Sequence, residues 1–440
     1  MEARIAPGPD EAPAKNLFAM RRDPVGFFRR LTSEYGDVVQ FNLGAEEVFF
    51  INQPDLIKEV LVSKGRSFQK WFAVDRTKEL LGEGLFVSEG SFHLRQRRMS
   101  QPAFHHKRIS DYGRVMQECC EELRDRWSGG ETLDIDSEMN WLALVIVTKT
   151  LFGAEVDPEE ARIIRDSLNI ILEKFERTTL PPAEKEEFDE ARERLSASVY
   201  RMIRERREQG EGEDHGDLLS ILLNAQDEEG DGSGMTDRQL HDEAMTLFLA
   251  GHETTANSLM WTWHQLSQHP EVEKVFHEEL ESVLGGRTAT MEDVRSLPYT
   301  EKVFREALRL YPPVWIVGRQ ALEDIELGGK LSLRKGHVVL LSQFITHRDE
   351  RFFSEPDRFD PSRWEDEAEA EKRPRYAYFP FSAGSRQCLG EGFAWMEAIL
   401  ALAIVGQRWK LRLAEGHRVV MHPQLTLRSR YGMRMVVTPR

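Results

Sequence analysis

The run Phe381-Ser382-Ala383-Gly384-Ser385-Arg386-Gln387-Cys388-Leu389-Gly390 decides how the rest of this chain is read. A cysteine that works as a ligand needs a tight loop and close backbone amides. Gly384 and Gly390 let the chain turn and approach closely with no Cβ in the way. Amide N–H groups beside Cys388 would hydrogen-bond its sulfur and tune a bound metal. Arg386 offers a planar cation for carboxylates. The apolar stretch Phe393 to Val405 predicts a helix opening just after Cys388, whose positive end favours a thiolate. An isolated cysteine is more often a buried structural thiol. The pattern Phe-x-x-Gly-x-Arg-x-Cys-x-Gly around this one reverses that reading, because a thiolate so held can be the fifth ligand of a haem iron.

With this run the sequence resembles the haem-thiolate monooxygenases, the cytochrome P-450 superfamily, whose haem-binding signature it matches. The resemblance covers nearly the whole chain. It implies a mainly α fold with a minor β region: a single large domain over residues 16–440 behind a loose tail at 1–15. It also implies haem b with Cys388 as axial ligand, and Pro380, Phe381, Gly384, Arg386, Gly390 and Ala394 against the cofactor.

Composition sets the outer bounds. Of 440 residues, 40% are hydrophobic and 30% charged, as in an ordinary globular protein. A net charge of −16 argues against nucleic-acid binding, which needs a basic footprint. Three cysteines, two of them the adjacent Cys119 and Cys120, do not make a disulfide framework and fit a reducing compartment. Met1 to Asn16 contains no apolar run, so neither a signal peptide nor a membrane anchor is expected. Many eukaryotic members of the resembling family carry an anchor, so the chain reads as a soluble, bacterial-type, cytoplasmic member.

Along the chain, Phe27 to Tyr35 predicts a short amphipathic helix. Val38–Gly44 and Val48–Ile51 predict a hairpin turning around Gly44 and Ala45. From Gln53 to about Ala307, apolar residues recur three and four apart, the helical period. Glu228–Gly234 reads as a solvated acidic linker, lacking the spacing and closing glutamate of a calcium loop. Thr236-Asp237-Arg238-Gln239 is a capping box that opens a long helix, which Pro270 stops. Val338 to Leu341 and Met421 to Val437 read as strands, and helix returns after the cysteine loop.

Within that long helix lies Ala250-Gly251-His252-Glu253-Thr254-Thr255. An acid beside a hydroxyl in a locally opened helix can relay protons, and a threonine bonding back to the carbonyl four residues earlier loosens the ladder. Ala250 and Gly251 leave room for dioxygen. Taken alone, Glu253 and Thr254 read as an ordinary solvated turn of helix. The resemblance makes Thr254 the hydroxyl that steadies the reduced oxygen and Glu253 its source of protons, with His252 a neighbour rather than an axial ligand.

Glu306 and Arg309 stand one helical turn apart, as do Glu121/Arg124, Glu159/Arg162, Glu292/Arg295 and Glu415/Arg418, where solvated pairs are expected. Order in the chain singles out the first pair, which follows the oxygen helix and precedes Tyr311-Pro312-Pro313 and Pro356-Asp357-Arg358-Phe359-Asp360-Pro361. By resemblance, Glu306, Arg309 and Arg358 form a buried structural network. The haem carboxylates would meet Arg386, Arg319 and the pair His93/Arg97. The family often has tryptophan at the His93 position.

The resemblance places Phe72, Phe86, Val87, Leu247, Phe248, Gly251, Thr255, Val314, Trp315, Ile316 and Leu425 around an apolar cavity suited to a lipophilic substrate. Thr178-Thr179-Leu180-Pro181-Pro182 implies a short lid. No Gly-rich dinucleotide fingerprint follows a strand, and two spare cysteines cannot hold a two-iron cluster. Electrons from NAD(P)H would therefore arrive through a separate ferredoxin or flavodoxin with its reductase, steered by Arg97, Arg98, Lys372, Arg373, Arg375 and Arg386. The expected reaction is hydroxylation or epoxidation of a lipophilic small molecule with O2. The alternatives are a peroxide-driven haem-thiolate peroxygenase and a non-catalytic haem- or ligand-binding protein.

Overall fold

A computed structural model describes residues 6–71, 74–153, 158–175, 181–208, 215–227, 229–365 and 372–440. Phe72, Thr178, Thr179, Leu180 and Glu228 lie outside the described residues, and with them the first pocket residue and most of the expected lid. The chain divides into two compact units. The first comprises Met1–Phe72, Lys302–Cys388 and Met421–Arg428, and the second Ala73–Glu301, Leu389–Val420 and Ser429–Arg440.

The first unit is built on a five-stranded sheet. Its order is Val38–Leu43, Glu46–Ile51, Val338–Leu341, Val317–Ala321, Phe68–Lys70. The expected hairpin forms with Val38 opposite Ile51 and Leu43 opposite Glu46, Gly44 supplying the left-handed turn at φ +63°. Val39, Phe41 and Leu43 point inward, as the period of two requires. Only the Glu46–Ile51 and Val338–Leu341 pair is parallel. One sheet face packs with Phe27, Phe28 and Leu31 of the Pro24–Tyr35 helix, which Asp23 caps by accepting the Gly26 N–H. The other holds Ile57, Val60 and Leu61 together with Phe379 and Ala383, so the approach to the cysteine loop is part of this core. The loose tail is tied down wherever it is described: Pro7 C=O accepts the Gln40 N–H, and a helix begins at Pro13.

The second unit is helical, with one three-stranded sheet of Thr132–Asp134, Arg434–Pro439 and Trp409–Leu413, all antiparallel. Its central element is the 32-residue helix Asp237–Gln268. The capping box forms as expected, Thr236 and Gln239 each accepting the other's backbone N–H. This helix packs mainly on Ile135–Phe152. The helix after the cysteine loop runs Glu391–Arg408 and is buried along most of its length against His106–Arg126. Among the described residues, no helix is long and apolar enough to cross a membrane.

The acidic linker is not merely solvated. Asp227, buried at its start, accepts the Gly230 and Gly232 N–H groups and pairs with Arg95 and Arg98. Arg95 and Arg98 are thus spent holding this loop.

Candidate active site

In the first unit the cysteine loop is a sequence of tight turns. Ser382 N–H donates to Phe379 C=O at 3.0 Å, and Cys388 N–H donates to Phe381 C=O at 2.9 Å. Ser382 adopts φ +60°, strained for a residue with a Cβ. Gly384 sits at φ +69° where a Cβ would come within 2.1 Å of Leu61 C=O, so no other residue fits. These constraints leave the Cys388 thiol exposed. Cys119 and Cys120 are fully buried instead. Burial pushes the Cys119 thiol up to about 12 and that of Cys120 well above its ordinary value. Cys388 is therefore the only one of the three placed to act as a thiolate ligand. Among the described residues, no group of three or more His, Cys, Asp or Glu could hold a metal ion without a further scaffold.

The second unit supplies a helix face. Between Leu240 and Trp263 every residue of Asp237–Gln268 is buried except Leu247, Ala250, Gly251 and Thr254. Their spacing of three, four and seven puts them in one stripe. Here the helix carries small side chains on its open side and a hydroxyl at the end. Thr254 Oγ1 donates to Ala250 C=O at 2.7 Å, the back-bond expected from sequence. The same bond recurs from Ser258 to Thr254 and from Thr262 to Ser258. Glu253 is buried beside the stripe, and His252 Nε2 donates to Asn140 C=O at 3.1 Å, deep in the helix packing.

Other expected pocket residues divide. Phe86 is 43% exposed and Val87 buried. Val314, Ile316 and Leu425 are half-buried. Phe248, Thr255 and Trp315 are buried: Phe248 and Thr255 lie within the packing of their helix, and Trp315 belongs to the sheet core with its indole N–H on Gln424 C=O.

The segment carrying Phe86 and Val87 is held by two acids that sequence reading passed over. Asp242 accepts the Glu83 N–H at 2.9 Å. Glu243 accepts the Leu85 N–H at 3.1 Å and the Gln96 side-chain amide at 3.0 Å. Gly82 and Gly84 lie so near Asp242 and Thr246 that a Cβ at either would be within 2.2 Å of them. Burial pushes the Glu243 carboxyl up to about 7, against the opposing pull of its two donors.

The Glu/Arg network is complete and differs from expectation in one member. Arg309 uses all five N–H donors: two on Glu306 at 2.8 and 2.9 Å, and the rest on the carbonyls of His347, Pro356 and Arg358. Both Glu306 and Arg309 have no exposed side chain. Arg358 gives only that carbonyl, while its guanidinium is exposed and pairs with Glu355. The second cation is Arg363, whose Nε donates to Glu306 at 2.8 Å, with the Trp364 indole N–H at 3.0 Å. The signal was present in Pro361-Ser362-Arg363-Trp364, five residues later than the arginine chosen.

Among the expected carboxylate partners, His93 is buried and Arg97 half-buried, one turn apart on the Gly90–Ser100 helix. Arg319 is buried on its strand, donating to Gly318 C=O at 2.9 Å. Pro380, Phe381, Gly384, Arg386, Gly390 and Ala394 are all half-buried. A single accessible thiol on a loop of tight turns fits an iron porphyrin held by cysteine. For the steering patch, Arg98 is committed to Asp227, and Arg373 stacks on Phe353 and Trp364.

The comparisons agree with this geometry. The cytochrome P450 family model matches residues 9–433. Cyclooctatin synthase of Streptomyces melanosporofaciens is 39% identical over 437 residues, covering 97% of this chain and 94% of that protein. Cyclooctat-9-en-7-ol 5-monooxygenase of the same organism is 38% identical, covering 91% and 88%. Pentalenene oxygenase of Streptomyces avermitilis is 34% identical, covering 90% and 88%. The crystal structure of the cytochrome P450DA heme domain superimposes with a TM-score of 0.91 at 27% identity, over 100% of this chain and 98% of that one. A cysteine loop folded for ligation, a helix opened only along Leu247, Ala250, Gly251 and Thr254, and family and structural matches over nearly the full length together make this chain a haem-thiolate member of the cytochrome P450 family.

Proposed function

We propose that this P450 monooxygenase hydroxylates or epoxidises a terpene-type alkene or alkenol. The observation that carries this is the open stripe of the Asp237–Gln268 helix, apolar at Leu247, small at Ala250 and Gly251, and ending in one hydroxyl. The relatives named for cyclooctat-9-en-7-ol and pentalenene support the substrate class. When bound, the haem supplies oxygen activation at an iron ligated by thiolate.

The chain's own residues do the rest. The turns from Phe379 to Cys388 fix where the sulfur lies, and Cys388 would hold the iron as its thiolate ligand. Ala250 and Gly251 keep side-chain bulk from the oxygen side. Thr254 Oγ1 carries a proton that its bond to Ala250 C=O orients, and Glu253, buried one residue away, resupplies it. By the resemblance, the Arg97, Arg319 and Arg386 guanidinium groups and a ring N–H of His93 would hold the haem carboxylates. Glu306, Arg309 and Arg363 hold the segment from Ser354 to Trp364 and take no part in proton movement.

Electrons come from NAD(P)H through a separate ferredoxin or flavodoxin and its reductase. The test is product formation from a panel of lipophilic alkenes with NAD(P)H and such partners, compared with peroxide alone. Turnover that needs the partners and falls by roughly a hundredfold or more in Thr254→Val is expected, the lower end of the usual share of a positioned proton donor. Equal turnover with peroxide, indifferent to Thr254→Val, would establish the peroxygenase instead.

A further inference from the structure

We propose that His347 is a positioning residue for the thiolate loop, holding its first turn through a hydrogen bond from the Phe379 amide to the imidazole Nε2. The inference rests on the reading of Cys388 as the haem ligand. His347 is fully buried, and Phe379 N–H donates to its Nε2 at 2.9 Å. The ring packs beside Tyr378 and edge-on to Phe379, with centroids 5.0 and 5.3 Å away. Its backbone carbonyl accepts from Arg309 at 2.8 Å.

One residue therefore joins two systems. On its main-chain side it belongs to the Glu306–Arg309–Arg363 network, which sets where residue 347 lies. On its side-chain side it fixes Phe379, whose own carbonyl accepts the Ser382 N–H in the turn where Ser382 is strained. Phe381, inside that turn, accepts the Cys388 N–H. Through His347, Phe379 and the Phe381–Ser382 peptide, these hydrogen bonds connect Arg309 to the amide of the ligand residue.

The imidazole must be neutral for this, with its proton on Nδ1, because a lone pair has to face the Phe379 amide. The surroundings enforce that state. Burial, and then the guanidinium groups of Arg309 and Arg348, hold the ring well below the usual histidine range. A charged ring would turn an N–H toward the amide and break the link.

The test uses full-length protein reconstituted with haem and reads the reduced, carbon-monoxide-bound spectrum. His347→Gln retains a neutral acceptor that reaches the Phe379 amide, whereas His347→Phe retains the ring and removes the acceptor. The strongly red-shifted Soret band of the unsubstituted protein, abolished in Cys388→Ala, first establishes the ligand itself. The band in His347→Phe should then decay to the ordinary short-wavelength form about tenfold faster, the scale of one buried donor left unsatisfied. His347→Gln should decay within about twofold of the parent. If His347→Phe does not fold, Asn, too short to reach the amide, takes its place against Gln. Equal decay in the acceptor-bearing and acceptor-free variants, whether fast or slow, overturns the proposal. A parent protein lacking the red-shifted band overturns instead the assignment of Cys388.

Discussion

Replacing Arg363 by alanine should damage this protein far more than replacing Arg358, although either arginine suits the third place in the network. Glu306 has no exposed side chain and accepts five hydrogen bonds. Two cations balance it, Arg309 and Arg363, and the Arg363 side chain is only 7% exposed. Removing one partner of a buried ion pair costs about 3–5 kcal/mol. Arg309 remains to shield the carboxylate, so the lower end, about 3 kcal/mol, applies. The Arg358–Glu355 pair is solvent-exposed at both ends, and such pairs contribute roughly 0–1 kcal/mol. With an unfolding entropy near 2.1 cal/mol/K per residue, 3 kcal/mol lowers the midpoint of a chain this long by about 3 °C. Arg363→Ala should also release haem sooner, since the Ser354 carbonyl loses its donor too. The assay is thermal and urea unfolding of haem-loaded protein, followed in parallel by Soret absorbance and tryptophan fluorescence. An Arg358→Ala shift as large as that of Arg363→Ala would refute the reasoning, as would an Arg363→Ala loss below about 1 kcal/mol.

Two further outcomes follow from burial. In haem-free protein at mildly alkaline pH, an alkylating reagent should modify Cys388 alone, because the Cys119 thiol, held near 12, and the still higher Cys120 form no thiolate there until the chain unfolds; quantitative mass mapping of native and unfolded samples checks this. For Glu243, the folded carboxyl binds its proton more tightly than the unfolded one, so its contribution to stability is fully present below about 4.5 and is lost as pH rises to about 7. Glu243→Gln should remove up to about 3 kcal/mol of that pH dependence, and unchanged slopes in urea titrations across this range would contradict it.

The cysteine loop could be read in the sequence because its requirements are local. Glycine at 384 and cysteine at 388 are fixed by turns that close within ten residues. The capping box at Thr236, the hairpin at Gly44 and the back-bond of Thr254 were legible for the same reason. Choosing between Arg358 and Arg363 was not a local question. Both stand in a charged, proline-rich stretch, and only the path of the chain past Glu306 decides which guanidinium turns inward. His347, Asp242 and Glu243 escaped notice likewise, since each works through a backbone amide that any residue could supply. Apolar type could not separate the open Leu247 from the buried Phe248, because the distinction lies in direction around the helix. The pairing of Arg98 with Asp227 was hidden likewise, because that acid lies far along the chain.

The row of hydroxyls from Thr254 through Ser258 to Thr262 has a mechanical consequence. Each shares a carbonyl that the helix would otherwise use once, and back-bonds of this kind lower bending stiffness along their own side. Three such bonds at four-residue intervals make a compliant edge along two turns of an otherwise tightly clamped rod. Alanine at 258 or 262 would remove the added donor from the Thr254 or Ser258 carbonyl and stiffen that edge.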